Sequence, residues 1–153
     1  MTANRLANVP TTRRTRFVGA GPEDVWRVVS DPHHLPRWWP RVRRVESVAD
    51  ERWTKVLGTQ KGKSVRADEH VVDSEPPWRR TWTQELEESP FERMFREVTT
   101  EVVLEPEESG TRVTLALHQR LRGINRLGGF LLRRASGSVL DEALDGLERV
   151  CGP

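Results

Sequence analysis

The fold is decided by residues 111–150, which read TRVTLALHQRLRGINRLGGFLLRRASGSVLDEALDGLERV. In the first part of this stretch apolar and polar residues alternate, and a period of two is typical of a strand with one buried face. Beyond Gly123 the apolar residues recur every three or four positions, which predicts a helix of about 25 residues, ~38 Å long. A strand followed by so long a helix favours an α+β domain in which the helix lies across a sheet.

Both elements have a predicted inner face. In the strand it consists of alternate residues, namely Val113, Leu115, Leu117, Gln119 and Leu121. In the helix it is an apolar stripe that consists of Leu127, Leu131, Ala135, Val139, Ala143, Leu147 and Val150. A strongly twisted sheet wrapped around such a helix leaves a wedge that side chains need not fill. We expect this wedge to be a binding pocket.

The residues before this stretch complete the sheet. Residues 11–18 are predicted to form a strand, and Pro22 and Pro32, each beside an acidic residue, predict the starts of two short helices. From residue 41 onwards, period-two runs separated by turn residues predict antiparallel strands over 41–48, 52–59, 64–73, 78–87, 94–104 and 111–121. With the first strand they give a seven-stranded, curved antiparallel sheet.

Length and composition limit the possible functions. The 153 residues suit one domain, which we expect to span residues 11–153 after a flexible start at residues 1–10. A net charge of only +2, without aromatic RNA-binding motifs, argues against a nucleic-acid partner. No apolar run is long enough for an integral membrane segment or a signal peptide, and the lone Cys151 has no partner for an internal disulfide. These features predict a cytoplasmic protein.

Two stretches carry a resemblance to a known superfamily. Residues 21–42 read GPEDVWRVVSDPHHLPRWWPRV, and residues 110–117 read GTRVTLAL. With the predicted order of strand, two short helices, six strands and long helix, they resemble the START-like (SRPBCC) superfamily, and within it the polyketide cyclase/dehydrase and lipid-transport group. The resemblance covers nearly the whole chain. It implies a helix-grip fold with an internal cavity for hydrophobic ligands, but it does not fix a reaction.

Two positions depart from the aromatase/cyclases of that group. These enzymes resemble the chain around LPRWWPRV, residues 35–42, but they carry a tyrosine about where Val42 stands and a cavity arginine near the position of Val71. Polyketide aromatisation needs a positioned proton donor near the carbonyl groups of the substrate. The absence of both polar groups therefore favours a binding role over this reaction.

Glu69 is the candidate catalytic residue. It shares a predicted strand face with Val65, Ala67 and Val71, which are apolar, and a desolvated carboxyl in such a place could act as a general acid or base. The alternative is a structural carboxylate that faces solvent or pairs with an arginine.

The histidines show no spacing that would gather three ligands around a metal. They are His33, His34, His70 and His118. Asp68 and His70 could align an acid with an imidazole, but no nucleophile motif lies beside them, so a solvated strand face is the preferred interpretation. We predict no metal and no organic cofactor.

The predicted cavity wall combines aromatic and aliphatic residues. Flat aromatic walls suit ring-containing ligands, although ordinary core packing explains the six tryptophans as well. Gln119 would orient the ligand through a hydrogen bond. Gly128 and Gly129 either let the start of the helix bend aside to admit a ligand or only mark a frayed helix start. The predicted ligand-binding residues are Trp38, Trp39, Trp53, Trp82, Leu115, Leu117, Gln119, Leu131 and Ala135.

The sequence leaves three hypotheses for the function. The first is a carrier or sensor that binds a small hydrophobic molecule, polyketide-like or lipid-like, in the cavity. The second is a polyketide cyclase/dehydrase-like enzyme in which Glu69 moves a proton. The third is an interaction module whose cavity is filled by side chains and whose arginine-rich surface meets an acidic partner. The oligomeric state stays open.

Overall fold

The computed structural model of the chain describes residues 6–123 and 126–152. Within these ranges the chain forms one seven-stranded sheet, two short helices and a long final helix. The strands are β1 (Thr11–Val18), β2 (Val42–Ala49), β3 (Arg52–Gly58), β4 (Ser64–Glu75), β5 (Arg79–Gln84), β6 (Phe95–Glu107) and β7 (Gly110–Leu121). The helices are α1 (Pro22–Val29), α2 (Leu35–Trp38) and α3 (Arg126–Cys151), and a 3₁₀ turn (Pro32–His34) joins the first two.

The strands lie in the order β1-β7-β6-β5-β4-β3-β2, and each neighbouring pair is antiparallel. Strands β2 to β7 are neighbours along the chain, as expected for successive hairpins. Strand β1 instead crosses over and pairs with β7 along its whole length. The sheet and α3 together confirm the predicted α+β helix-grip fold.

Some predicted strand ends are wrong by a few residues. Strand β5 ends at Gln84 instead of residue 87 because turns begin at Leu86, whose carbonyl accepts the Ser89 N–H at 3.1 Å. Strand β6 continues to Glu107 because it pairs with β7 up to the tight turn, where Glu107 lies opposite Gly110. The neighbouring strand decides where each of these strands ends, and the local sequence pattern carries no information about that neighbour.

The two short helices begin where the sequence predicts. Pro22 occupies the first turn of α1, and Asp31 accepts the His33 N–H at 3.0 Å at the start of the 3₁₀ turn. Helix α2 lies against α3 at Gly146, where an added Cβ would overlap the carbonyl oxygen of Trp38. Glycine therefore sets the close approach of these two helices.

The predicted apolar stripe of α3 is correct only in its second half. Ala143 and Leu147 are fully buried, whereas Leu127 and Leu131 are 67% and 53% exposed. Four residues of α-helix turn by about 400°, so side chains spaced strictly by four residues drift around the helix axis by ~40° at each step. Leu127, four steps before Ala143, therefore points ~160° away from the direction of Ala143. The residues buried by α3 in its second half are Leu140, Ala143, Leu144 and Leu147.

Ion pairs attach the second half of α3 to the edge strand β1. Arg14 pairs with Asp141 at 3.4 Å, and Arg16 pairs with both Asp145 and Glu148. These pairs are largely exposed, so each contributes little to the free energy of unfolding. They connect to β1 the same half of α3 whose apolar face is buried.

The predicted flexible start falls partly outside the described residues, since residues 1–5 are not among them. Leu6 is buried, and the Pro10 carbonyl accepts the Gln119 N–H at 2.9 Å. The described part of this segment thus lies against the end of β7. No helix in the described ranges is long and apolar enough to cross a membrane.

Candidate ligand cavity

A cavity of about 820 Å³ lies between the inner face of the sheet and the first half of α3. Small-molecule sites typically measure ~300–1,000 Å³. Most of its wall is apolar and comes from Trp39, Leu57, Val65, Phe91, Phe95, Val98, Leu117, Leu132, Ala135 and Val139. The predicted wedge is therefore present.

Local geometry keeps this space open. Four residues of α3 face it, and two of them, Ala135 and Ser136, have small side chains that cannot reach far into the wedge. A bulge between Phe95 and Glu97 shifts the alternation of β6, so Phe95 and Val98 both line the cavity. The second half of α3, in contrast, packs directly on the core.

The rim of the cavity is exposed and basic. It includes the turn between β3 and β4, which is closed by a hydrogen bond from Thr59 N to Lys63 O at 2.9 Å. Lys61 and Lys63 come from this turn, and Arg41 comes from the segment after α2. A ligand that enters here passes exposed cations before it reaches apolar wall.

Lysine and glutamine are concentrated at this cavity. The chain contains three lysines among its 25 basic residues and three glutamines, and all six residues line the cavity. Among the arginines of the described ranges, only Arg41 does so. These six residues are Lys55, Lys61, Lys63, Gln60, Gln84 and Gln119.

Lys55, on the inner wall of the cavity, forms a polar group with Glu69 and Trp53, which lie outside the lining. Glu69 is only 2% exposed. Its Oε1 accepts the indole N–H of Trp53 at 3.0 Å, and its Oε2 lies 3.0 Å from the ammonium of Lys55. Lys55 lines the cavity, whereas Glu69 lies outside the lining. A ligand in the cavity would therefore contact Lys55 and not Glu69.

Gln84 is the neighbour of Glu69 in the ladder between β4 and β5. Its side chain lines the cavity and the residue is 9% exposed. Its Nε2 atom is buried without a hydrogen-bond partner anywhere in the described residues. Buried amides are normally paired, so this donor is unusual.

The nine predicted ligand-binding residues divide into two groups. Trp39, Leu117, Gln119 and Ala135 line the cavity. The other five do not: Trp53 and Trp82 form an edge-to-face pair at 6.0 Å in the core, Trp38 and Leu115 are buried there, and Leu131 is exposed on α3. Ligand contact by the first four stays a prediction.

The structure places those five residues outside the cavity lining for identifiable reasons. The tryptophans and Leu115 follow the correct inner-face alternation, but the second half of α3 fills the space above that part of the sheet. Leu131 belongs to the part of the helical stripe that drifts away from the sheet. Val42 and Val71, the two departures from the aromatase/cyclases, also lie outside the cavity lining.

Lys55 and Gln84 are the residues that the sequence analysis missed. Both are polar residues on an inner face, and the apolar periodicity of a strand does not mark such residues. The available signal was the scarcity of lysine and glutamine in an arginine-rich chain. Gln119, which was predicted, accepts the Ser136 hydroxyl at Oε1 at 2.6 Å.

Other titratable groups lie away from the cavity. Asp68 accepts a hydrogen bond from Thr54 at 2.5 Å, and His70 lies 3.7 Å from Glu85. No three His, Cys, Asp or Glu side chains of the described residues converge as metal ligands would. The absence of a metal or cofactor in the working protein stays a prediction.

His118 lies buried on the opposite face of the sheet, although the alternation of β7 placed it with exposed residues. Its Nδ1 is 2.7 Å from the Thr11 hydroxyl, and its Nε2 is 3.1 Å from Glu101. The hydrogen bond from His118 holds the pKa of Glu101 below its ordinary value. This pair joins β6 to β7 and does not face the cavity.

A sheet that grips a long helix over an apolar cavity defines the helix-grip class of ligand-binding folds. The family model described as polyketide cyclase/dehydrase and lipid transport matches residues 10–152. The chain belongs to this family. No curated protein matches it at a significant level.

Solved structures agree with this assignment. TTHA0849 from Thermus thermophilus is 30% identical over 92% of this chain and 95% of that one, with a TM-score of 0.70. A START superfamily protein from Mycobacterium smegmatis, 16% identical over 92% and 96% of the two chains, has a TM-score of 0.75. The di-domain ARO/CYC StfQ from the steffimycin biosynthetic pathway is 14% identical over 97% of this chain and 52% of its own, with a TM-score of 0.76. The last two likenesses show the fold alone.

Proposed function

We propose that this protein binds a small apolar molecule in the cavity under the first half of α3, as a carrier or sensor. The observation that supports this function most is the 820 Å³ of unfilled space with a mainly apolar wall. The same space argues against the interaction module, whose premise was a cavity filled by side chains. A cytoplasmic location remains part of the proposal.

The wall predicts how affinity should depend on ligand length. Burial of one methylene contributes ~0.8 kcal/mol, which tightens Kd about fourfold. A homologous series should follow this slope until the cavity is full. A ligand that only adsorbs to the surface would gain much less from each methylene.

The test is displacement of the apolar dye N-phenyl-1-naphthylamine by the linear alcohols from hexanol to dodecanol. We expect bound-dye fluorescence and a Kd that falls about fourfold per methylene. Val98→Trp should abolish binding, because Val98 lines the cavity. Val103→Trp is the matched control: Val103 lies on the same strand but outside the lining.

Two results would contradict the proposal. One is an absence of dye binding to the native protein. The other is equal loss of binding in both tryptophan variants, which would mean that general damage to β6, and not the filling of the cavity, causes the loss.

A second candidate function is a cyclase/dehydrase-like reaction in which Glu69 moves a proton. The observation that favours it is the burial of Glu69 directly behind Lys55, which lines the cavity. Because Glu69 itself lies outside the lining, its proton would pass to and from the ligand through the amino group of Lys55. A suitable probe is 4-hydroxy-2-undecanone, whose loss of water gives a conjugated enone with a strong ultraviolet absorbance. Glu69→Gln should abolish enone formation while dye binding persists. A native protein that binds this ketone without forming enone would favour the carrier.

A further inference from the structure

The inner wall of the cavity presents hydrogen-bond donors and no free charge. The Nε2 of Gln84 has no partner in the described residues, and the residue is more than nine-tenths buried. Lys55 supplies an ammonium with three N–H groups, of which the contact with Glu69 Oε2 at 3.0 Å uses one. An unpaired buried donor costs free energy that a ligand acceptor would recover.

The charges of this wall favour one kind of acceptor. Lys55 is already balanced by Glu69, so the pair is neutral as a whole. A carboxylate bound here would add an uncompensated negative charge beside a buried carboxylate, which is unfavourable away from water. A carbonyl oxygen accepts the same hydrogen bonds and adds no charge.

Gln84 also differs from the other two glutamines of the wall. Gln119 already accepts the Ser136 hydroxyl at Oε1, and Gln60 lies exposed in the turn at the rim. Strand β3 runs from Lys55 through Leu57 to that turn, and each of these positions lines the cavity. Leu57 thus forms apolar surface between the polar inner wall and the rim.

We infer that the ligand carries a neutral carbonyl group, as in a ketone, ester or amide, whose oxygen accepts the N–H of Gln84 beside Lys55 when the buried amide turns toward the cavity. The apolar remainder lies along Leu57 toward the rim. This inference rests on the proposed function and names the chemical group that the cavity selects. Gln84 is then the residue that favours a carbonyl compound over a hydrocarbon, and the balanced pair of Lys55 and Glu69 is what disfavours a fatty acid.

The test compares three probes of one chain length, namely undecane, 2-undecanone and undecanoate at pH 7, by displacement of N-phenyl-1-naphthylamine. The native protein should bind undecanoate less tightly than 2-undecanone, and undecane serves as the reference without an acceptor. Gln84→Met keeps the length of the side chain and removes the donor. It should weaken the binding of 2-undecanone about tenfold, which is the effect of one good hydrogen bond, and leave the binding of undecane unchanged.

A spectroscopic measurement tests the same contact in the native protein. With 2-undecanone labelled with ¹³C at the carbonyl, the infrared carbonyl stretch should lie at lower wavenumber in the complex than in hexane, because the oxygen accepts a hydrogen bond. It should return toward the hexane value in Gln84→Met. A bound ketone whose stretch equals the hexane value would overturn the inference even if the variant did not fold.

The binding data contain two further outcomes. Equal changes in the affinity for undecane and for 2-undecanone in Gln84→Met, or tighter binding of undecanoate than of 2-undecanone by the native protein, would overturn the inference and leave the apolar-ligand function standing. A native protein that binds neither the dye nor any of the three probes would overturn both this inference and the proposed function.

Discussion

At the scale of single residues, the contact of Lys55 with Glu69 determines the character of the inner wall. Both charges are largely removed from water, with side-chain exposures of 12% and 2%. A buried ion pair adds little net stability, but loss of one partner leaves the other charge uncompensated. The pair therefore acts as a unit, and the absence of either member should be costly.

We predict that Glu69→Gln lowers the free energy of unfolding by about 2–3 kcal/mol, measured by urea denaturation, because hydrogen bonds to charged groups are worth that much. A double-mutant cycle with Lys55→Met should give a coupling energy of about 2 kcal/mol. The control is the exposed pair of Asp24 and Arg27, 3.1 Å apart, which should couple by less than ~0.5 kcal/mol. Equal coupling in the two pairs would contradict this account of the wall.

At the scale of elements, α3 has a fixed half and a free half. Gly146 marks the fixed half, because a Cβ there would overlap the backbone of Trp38. Gly129 marks the other, where a Cβ would meet nothing within 4 Å. The same substitution should therefore have opposite effects at two places on one helix.

We predict that Gly146→Ala destabilises the protein by about 1–3 kcal/mol, since backbone atoms cannot move aside as a side chain can. Gly129→Ala should be neutral or stabilise it by up to ~1 kcal/mol through helix propensity. Urea denaturation of both variants tests the difference. Slower dye entry in Gly129→Ala would support the predicted bending of this helix start, and a matching loss of stability in the two variants would disprove the division of α3.

The sequence was sufficient for the elements because each depends on a local pattern. The alternation of β7 and the proline-acid helix starts are complete within a few residues. The cavity depends instead on relations between elements: the drift of the helical stripe away from Leu131, the bulge beside Phe95, and the position of Gln84 next to Glu69. None of these is contained in the periodicity of one segment.

At the scale of the whole molecule, the core and the cavity divide the space between sheet and helix. The core lies under the second half of α3, where Leu140, Leu144 and Leu147 are fully buried and ion pairs hold β1. The cavity lies under the first half and contributes no packing there. Stability is therefore concentrated at one end, and a ligand can supply at the other end the contacts that side chains do not.

This division predicts that ligand binding raises the melting temperature. At a free ligand concentration of about 100 Kd the native state gains ~2.7 kcal/mol, which for a domain of this size corresponds to a rise of roughly 5–10 °C. Dodecanol and differential scanning calorimetry provide the measurement. Val103→Trp should keep the rise, because the cavity is intact. Val98→Trp should show no such rise. Without ligand, the melting temperature of Val98→Trp should not fall far below that of Val103→Trp, because the indole fills space that is otherwise empty. A rise of the same size in both variants would place the bound alcohol outside the cavity.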